Sequence, residues 1–195
     1  AMRHAFQLAP RRIILSALVK ETGETCNITM LDGDHLIYLD RVESDWPLQF
    51  RLKVGSHVPL HCTASGKLFL ALGSPSLRKA LFRTQPLQRY TQQTLTTAVK
   101  LEPELDSIRK TGIGTDSEEF MDGMTAAAVP VYDAKGRIFA TVAVHGPTTR
   151  LPLSRAVSLA PALKRVARAI EQTILTQATA PSEQGSSGRQ TTRTV

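Results

Sequence analysis

The spacing of hydrophobic residues predicts one helix and three strands in the first third of the chain. Aliphatic residues recur at spacings of three and four between residues 14 and 19, which is typical of a helix that packs on one side. From residue 25 the period changes to two, and an Asp-Gly-Asp turn joins the alternating segments 25–32 and 35–42 into a predicted hairpin. A third alternating segment, 48–54, predicts a strand with one face in solvent.

Capping residues mark two short helices after these strands. Thr63 or Ser65 can cap a helix over residues 66–72, because a hydroxyl group there can accept hydrogen bonds from the first free backbone N–H groups. Ser74 followed by Pro75 predicts the start of a second helix, since proline is well tolerated at the first helical position.

The second half of the chain predicts a third helix, three more strands and a long final helix. An apolar stripe at helical spacing ends at Gly112, which can close a helix in the left-handed conformation. Strands are expected over 113–116, 126–132 and 137–145. The final helix has an apolar face formed by Leu159, Leu163, Val166, Ile170 and Ile174. Because strands and helices come in groups rather than alternating one to one, the expected class is α+β with an antiparallel sheet.

Composition predicts one soluble domain and limits its partners. Of 195 residues 42% are hydrophobic, which suffices for a core, and no apolar run approaches the roughly 20 residues of a membrane-spanning helix. The net charge of +7 raises the question of nucleic acid, but Lys and Arg are spread without interleaved aromatic residues. We therefore expect this chain alone to bind DNA weakly and salt-sensitively at best.

Cysteine usage and the N-terminal segment favour a cytoplasmic protein. Cys26 and Cys62 do not make a disulfide framework, because small secreted scaffolds carry several pairs. The first residues contain no apolar stretch long enough for a signal peptide.

The segment HCTASGK, residues 61–67, concentrates reactive side chains and suggests a cysteine nucleophile. In an extended stretch adjacent side chains point to opposite faces, so His61 cannot act as a base for Cys62. His145 from another strand could take that role. A small α+β enzyme that uses Cys62 or Asp116 with His145 therefore remains the alternative function.

A metal site is a weaker interpretation of the same region. Histidines four residues apart on a helix are a common ligand pair, and His57 and His61 have that spacing. Pro59 lies between them and breaks the helix that the spacing requires, so two loop histidines are the simpler expectation.

The predicted helix start at Ala64-Ser65-Gly66 could hold a small anion. Unpaired N–H groups and the positive end of the helix dipole attract a carboxylate, and small side chains allow it to approach. The segment is not a phosphate-binding P-loop, because the upstream glycine is absent. An ordinary capped helix has the same pattern, so both interpretations stay open. Asp116, at the end of a predicted strand, is a second polar candidate.

Four segments in this order resemble the effector-binding domain of IclR-type bacterial transcriptional regulators. The resemblance runs from about residue 13 to residue 175, and its segments are ETGETCNITMLDGDHLIYLDRVES, GSHVPLHCTASGKLFLA, LDSIRKTGIGTDSEE and AAAVPVYDAKGRIFATVAVHGP. An in-order series of this length is far more specific than any one motif.

The resemblance implies a GAF-like sensor domain, with a curved antiparallel sheet of about six strands flanked by helices. The domain would occupy residues 25–176, after a linker or N-terminal helix over 1–24, while polar composition predicts a disordered tail over 177–195. Family members place a winged helix-turn-helix domain before this one, and the sequence has no room for it. DNA contact is therefore expected only through that missing part. The implied assembly is a homodimer or homotetramer, with no catalytic residue, metal or cofactor.

The resemblance also implies a set of effector-binding residues. In relatives that bind small organic acids, the pocket positions correspond to Thr63, Ala64, Ser65, Asp116, Ala126, Ala143 and His145 of this sequence. Ala126 takes the place of a cysteine, and Ala143 and His145 take the places of two serines. These departures would leave a very small hydroxy or keto acid with too few hydrogen bonds.

We therefore expect a carboxylate effector with an aromatic or otherwise bulkier body than a two- or three-carbon acid. Its acid end would lie at the backbone amides of Ala64 and Ser65, with Asp116 and His145 beside a polar substituent. Plausible walls for its body are Met30, Leu60 and Met124.

Overall fold

A computed structural model describes residues 8–46 and 58–179 of the chain. These residues form a five-stranded antiparallel sheet with helices on both faces, which confirms the α+β class. The strand expected over 48–54 lies outside the described residues. In chain order the elements are α1 (Leu8–Thr22), β1 (Thr25–Asp32), β2 (His35–Val42), α2 (Ala64–Leu72), α3 (Pro75–Phe82), α4 (Ala98–Thr111), β3 (Gly114–Ser117), β4 (Met124–Tyr132), β5 (Ile138–Pro147), α5 (Leu153–Ser158) and α6 (Ala160–Thr179).

The strand register brings distant polar residues to one face of the sheet. The strand order is β2-β1-β5-β4-β3, so the first hairpin pairs with the second through β1 and β5. Two rows of paired residues cross the sheet: Arg41, Asn27 and Ala143 on β2, β1 and β5, and His145, Ala126 and Asp116 on β5, β4 and β3. Because positions 143 and 145 are two residues apart on one strand, both rows lie on the same face.

The opposite face of the sheet is apolar and packs against α1, α5 and α6. Ile28, Val142 and Leu163 are fully buried in this core. Leu15 of α1 joins it with no exposed surface, so this N-terminal helix packs on the sheet, as its apolar stripe predicts. Burying a side chain of this size stabilises a fold by about 1.5–3 kcal/mol.

The face that carries the two rows is polar, and it is nevertheless buried. Asn27 and Thr29 of β1 are 3% and 2% exposed, and Thr141 of β5 is fully buried. Helices α2 and α4 cover part of this face through an apolar cluster that includes Leu68 and Leu101. Buried polar groups require partners, so this face is the place to look for a binding site.

Helix ends follow the expected capping rules. Thr63 is the N-cap of α2, and its hydroxyl accepts a hydrogen bond from the Gly66 N–H. Ser74 caps α3, with proline in the first turn. Gly112 ends α4 with a φ of 66°, the left-handed conformation predicted for it.

The final helix extends further than the sequence predicted. Helix α6 continues to Thr179, beyond the expected start of the tail at residue 177. Residues 180–195 lie outside the described part of the chain. None of the described helices combines the length and the apolar character needed to cross a membrane.

Candidate functional site

A cavity lies between the polar face of the sheet and the start of α2. The centre of a water molecule could occupy about 80 Å³ of it, several times the space that one buried water needs. All seven residues expected to bind an effector line this cavity: Thr63, Ala64, Ser65, Asp116, Ala126, Ala143 and His145. Further lining comes from polar residues Asn27, Thr29, Tyr38, Arg41 and Thr125 and from apolar residues Leu36, Val58, Phe120, Met121 and Met124.

The start of α2 presents backbone donors to the cavity. The N–H of Gly66 bonds to the Thr63 hydroxyl at 3.2 Å, and the N–H of Lys67 bonds to the Thr63 carbonyl at 3.0 Å. The N–H groups of Ala64 and Ser65 make no hydrogen bond to any other described residue. Together with the positive end of the helix dipole, these two donors favour a bound anion.

Two glycines allow α2 to approach its neighbours closely. A Cβ at Gly66 would lie 2.3 Å from the Leu60 carbonyl oxygen, and a Cβ at Gly114 would lie 2.2 Å from the Ala64 carbonyl oxygen. Both distances are far below van der Waals contact, so any side chain would push α2 away. Gly114 thereby places the first turn of α2 directly against β3.

A chain of hydroxyl groups ties the same turn to the sheet. The Thr141 hydroxyl donates to the Ser65 hydroxyl at 2.8 Å, and the hydroxyls of Thr141 and Thr29 are 2.6 Å apart. All three residues are buried. The side chain of Ser65 is therefore engaged with β5 and β1, which leaves its backbone N–H as the group available to a ligand.

Asp116 is a buried carboxyl group with backbone partners. Its Oδ1 accepts hydrogen bonds from the N–H of Glu119 at 2.8 Å and from the N–H of Phe120 at 3.4 Å. Burial raises the pKa of Asp116 to about 7, although these backbone donors oppose the shift. Near neutral pH this carboxyl can therefore donate a hydrogen bond when protonated or accept one when ionised.

A buried ion pair holds the loop that follows Asp116. Lys67 of α2 has no exposed surface, and its Nζ lies 2.6 Å from Glu119 Oε1 and 3.4 Å from Glu104 Oε2. Burial raises the pKa of Glu119, and the lysine beside it offsets only part of that rise. Since the Glu119 N–H donates to Asp116, the pair positions the cavity carboxyl.

His145 and Asn27 form a neutral pair at the opposite side of the cavity. Burial, assisted by the positive charge of Arg41, lowers the pKa of His145 to about 3, so its imidazole is neutral. Asn27 Nδ2 lies 3.1 Å from His145 Nδ1. Asn27 Oδ1 is buried and has no hydrogen-bond partner among the described residues.

Arg41 adds a positive charge to this lining. Its side chain is 5% exposed, its Nε lies 3.7 Å from Glu43 Oε1, and its guanidinium carbon lies 5.8 Å from the centre of the Tyr38 ring. Burial raises the pKa of Tyr38, and the neighbouring arginine opposes that rise. The cavity therefore combines the N–H donors at the start of α2, the cation Arg41 and the carboxyl group of Asp116, which its raised pKa allows to be neutral.

Comparison with known proteins identifies the family of this fold. The family model described as the C-terminal domain of the bacterial transcriptional regulator IclR matches residues 7–172. The chain belongs to this IclR C-terminal family. The probable transcriptional regulator SauR from Cupriavidus necator is 44% identical over 159 residues, which cover 82% of this chain and 63% of SauR. The regulator BhcR from Paracoccus denitrificans is 33% identical over 86% of this chain and 60% of BhcR.

Solved structures of IclR-type proteins share the architecture. The transcriptional regulator YaiJ is 33% identical, with a TM-score of 0.78 over 89% of this chain and 94% of that one. IclR from Thermotoga maritima is 29% identical, with a TM-score of 0.80 over 89% of this chain and 70% of that one. The present chain spans about three fifths of the length of the two curated relatives above. The predicted fold and family are confirmed, and at the level of the family this domain belongs to regulators, not enzymes.

Cys62 and His61, considered for an enzyme, do not line the cavity, whereas Asp116 and His145 do. Cys62 is fully buried, and burial raises the pKa of its thiol far above neutrality, which disfavours the nucleophilic thiolate. His61 bonds through Nε2 to the Gln88 carbonyl at 2.8 Å, away from the cavity lining. No group of three metal-binding side chains occurs in the described ranges, and His57 lies outside them.

Two of the three expected walls do not line the cavity. Met124 does, whereas Met30 alternates with Thr29 and so points to the other face of β1. Leu60 is buried in the apolar cluster beneath α2, against Gly66. Besides Met124, the apolar lining comes from Leu36, Val58, Phe120 and Met121.

Sequence reasoning missed the polar residues on the first hairpin, Asn27, Thr29, Tyr38 and Arg41. Alternation correctly placed Asn27 and Thr29 on the polar side of β1, but polar sides of strands usually face solvent. No local signal distinguishes them from solvent-facing residues, because their burial depends on the strand order and on the segments that cover this face of the sheet.

Proposed function

We propose that this domain senses a small organic acid, with the carboxylate of the acid bound at the start of α2. The observation that carries the proposal is the pair of N–H groups at Ala64 and Ser65, which line a cavity and lack described partners. A carboxylate there would satisfy both donors and meet the positive end of the helix dipole. Asp116 and His145 would contact a polar substituent of the ligand.

The lining favours a ligand with a sizeable apolar body. Methyl groups at Ala126 and Ala143 leave space and offer no hydrogen bond, and Phe120 and Met121 supply further apolar surface. Buried polar groups of a two- or three-carbon hydroxy or keto acid would remain unpaired there, which costs roughly 1–3 kcal/mol for each group. One solved protein of the same fold, only 20% identical, is an IclR homologue complexed with 4-hydroxybenzoate.

The proposed biological role is control of transcription by a cytoplasmic homodimer or homotetramer. Binding would shift the population between two arrangements of the subunits, and thereby change how the assembly holds DNA. The DNA-reading part would be a winged helix-turn-helix domain, as the family resemblance implies. The effector domain itself would contact DNA weakly and would not contact membranes.

The test is a thermal-shift screen with aromatic and aliphatic carboxylic acids, followed by calorimetry of the acids that stabilise the protein. At a hundred times its Kd, a ligand of the native state adds about 2.7 kcal/mol. For a domain of this size that corresponds to a rise in Tm of roughly 5–10 °C. Stabilisation by two- and three-carbon acids alone would contradict the expected ligand size.

A proline variant tests the acid subsite itself. Ala64→Pro removes one donor N–H at the first helical position, where proline fits the helix, and the preceding Thr63 has the extended conformation (φ −124°, ψ 147°) that proline requires. We expect acid binding to weaken at least tenfold while the fold persists. Ala98→Pro is the matched control at the same position of α4, where it removes only a bond to Gln85. Equal effects of both variants on binding would refute the proposal.

A further inference from the structure

We propose that Arg41 forms a second acid-binding subsite in the cavity, so that the effector carries two acidic groups. One acidic group would lie at the start of α2 and the other at the guanidinium of Arg41. This inference rests on the proposed function, because it takes the α2 start as the first subsite.

A β-bulge turns Arg41 towards the cavity. Leu39 is an extra residue in β2 without a partner on β1, and the register shifts by one at this point. In a regular hairpin Asp40 would lie opposite Asn27, whereas in the structure Arg41 does. A shift by one residue moves each following side chain to the other face of the strand. Asp40 consequently faces α1, where its carboxylate lies 3.0 Å from Arg12.

The charge that Arg41 brings to the cavity favours an anion. Its side chain is 5% exposed, and Glu43, at 3.7 Å from its Nε, is itself 34% exposed. Asp116 is the acidic residue among those lining the cavity, and burial favours its neutral form. A planar guanidinium suits a carboxylate in particular, because its N–H groups can donate to both oxygens.

The Asn27 amide, directly opposite Arg41, is a second and independent sign of a polar ligand. One polar atom of this amide bonds to His145, and the other is buried without a partner among the described residues. Neutral histidine can carry its proton on either nitrogen. In the structure the NH2 group of Asn27 lies against His145 Nδ1, which leaves Oδ1 as the atom without a described partner. In the proposed complex His145 would carry its proton on Nδ1 and the amide would be turned over, so that its NH2 group donates to the ligand anion beside Arg41.

The position of the two subsites sets the size of the ligand. Ser65 is held over β5 by its bond to Thr141, whereas Arg41 lies on β2, two strands away. Two strand spacings are roughly 10 Å at the backbone, and the arginine side chain shortens the gap. The two acidic groups must therefore be separated by a short chain or a ring, as in succinate, glutarate or isophthalate.

The test compares each diacid with the monoacid of the same carbon skeleton by calorimetry at pH 6.5, where Asp116 is mostly neutral, and at fixed ionic strength. The pairs are succinate with butyrate, glutarate with valerate, and isophthalate with 3-methylbenzoate. We expect at least one diacid to bind about 10- to 100-fold more tightly than its monoacid, as a buried charge-assisted hydrogen bond predicts. Arg41→Gln should weaken binding of the diacid about 10-fold or more beyond its effect on the monoacid, so that the preference for the diacid is lost.

Two control variants separate the possible failures. Arg168→Gln removes one positive charge from the exposed side of α6 and should change neither affinity. Arg41→Lys keeps the charge and should retain most of the preference, which also guards against misfolding of Arg41→Gln. If monoacids bind and no diacid binds more tightly, or if Arg41→Gln acts like Arg168→Gln, the second subsite is wrong and the proposed function stands. If no acid of either series binds, the proposed function fails as well.

Discussion

Asp116 and His145 should make opposite contributions to the pH dependence of stability. The folded pKa of Asp116 is about 7, against 3.8 for the unfolded chain. Between these values the folded state binds the extra proton, so this group lowers the free energy of unfolding as the pH rises. The folded pKa of His145 is about 3, against 6.5 for the unfolded chain. Here the unfolded state binds the extra proton, so this group raises the free energy of unfolding as the pH rises.

The two contributions nearly cancel over part of the acid range. Each group changes the free energy of unfolding by about 1.4 kcal/mol per pH unit inside its own window, with opposite sign. The windows overlap from about pH 4 to pH 6.5. Over its whole window each group accounts for roughly 4–5 kcal/mol. In the wild-type protein the two contributions to the free energy of unfolding offset each other. A variant that lacks one group therefore shows the pH dependence caused by the other.

Urea unfolding of single variants between pH 4 and pH 7.5 measures the contribution of each group to the pH dependence of stability. The difference between Asp116→Asn and wild type should rise with pH by about 1.4 kcal/mol per unit. The difference between His145→Asn and wild type should fall with pH at the same rate up to about pH 6.5, and the asparagine keeps an acceptor for Asn27. Asp122→Asn, which removes an exposed carboxylate, supplies the baseline.

The reasoning fails if the difference curves of Asp116→Asn and His145→Asn run parallel to that of Asp122→Asn. Such a result would mean that the cavity is wet enough to leave both groups unshifted. If the difference in the free energy of unfolding changes with pH for only one of the two variants, the pKa shift assigned to the other group is wrong, because each variant reports on a single group.

Three further predictions concern the supports of the site. Lys67→Met should lower the free energy of unfolding by about 3–5 kcal/mol, because it leaves Glu119 buried and unpaired, and adding Glu119→Gln should recover much of the loss in urea unfolding. Gly114→Ala should cost roughly 2 kcal/mol or more, measured in the same way, since its Cβ would lie 2.2 Å from the Ala64 oxygen. The Cys62 thiol should react with a thiol reagent only after urea unfolds the chain; rapid labelling of the native protein would contradict its burial.

Local signals predicted most of the fold correctly. The cap at Thr63, the left-handed Gly112 and the turn between β1 and β2 depend on backbone hydrogen bonds and φ angles within a few residues. Such features are visible in a sequence because their causes are local. Close approaches such as Gly66 against Leu60 depend on segments that meet only in the fold, and nothing in the local pattern distinguishes these glycines from flexible ones.

The cavity could be predicted in part, and the missing part has one physical cause. Ser65, Asp116 and Ala143, expected through the family resemblance, lie on one cavity because strand order brings them together. Asn27 looked like a solvent-facing strand residue and is 3% exposed. Alternation tells which side of a strand is polar, but only the full sheet and the helix above it decide whether that side meets water.

The sign of the cavity charge depends on one inserted residue. Strict alternation from Leu36 and Tyr38, which both line the cavity, continues to Asp40 and would place a second carboxylate beside Asp116. A site with two carboxylates attracts a cation. The bulge at Leu39 turns Asp40 to the opposite face and brings a guanidinium into the cavity at the next position, which favours an anion over a cation. The ligand class that we propose therefore depends on strand register, which neither composition nor residue spacing reveals.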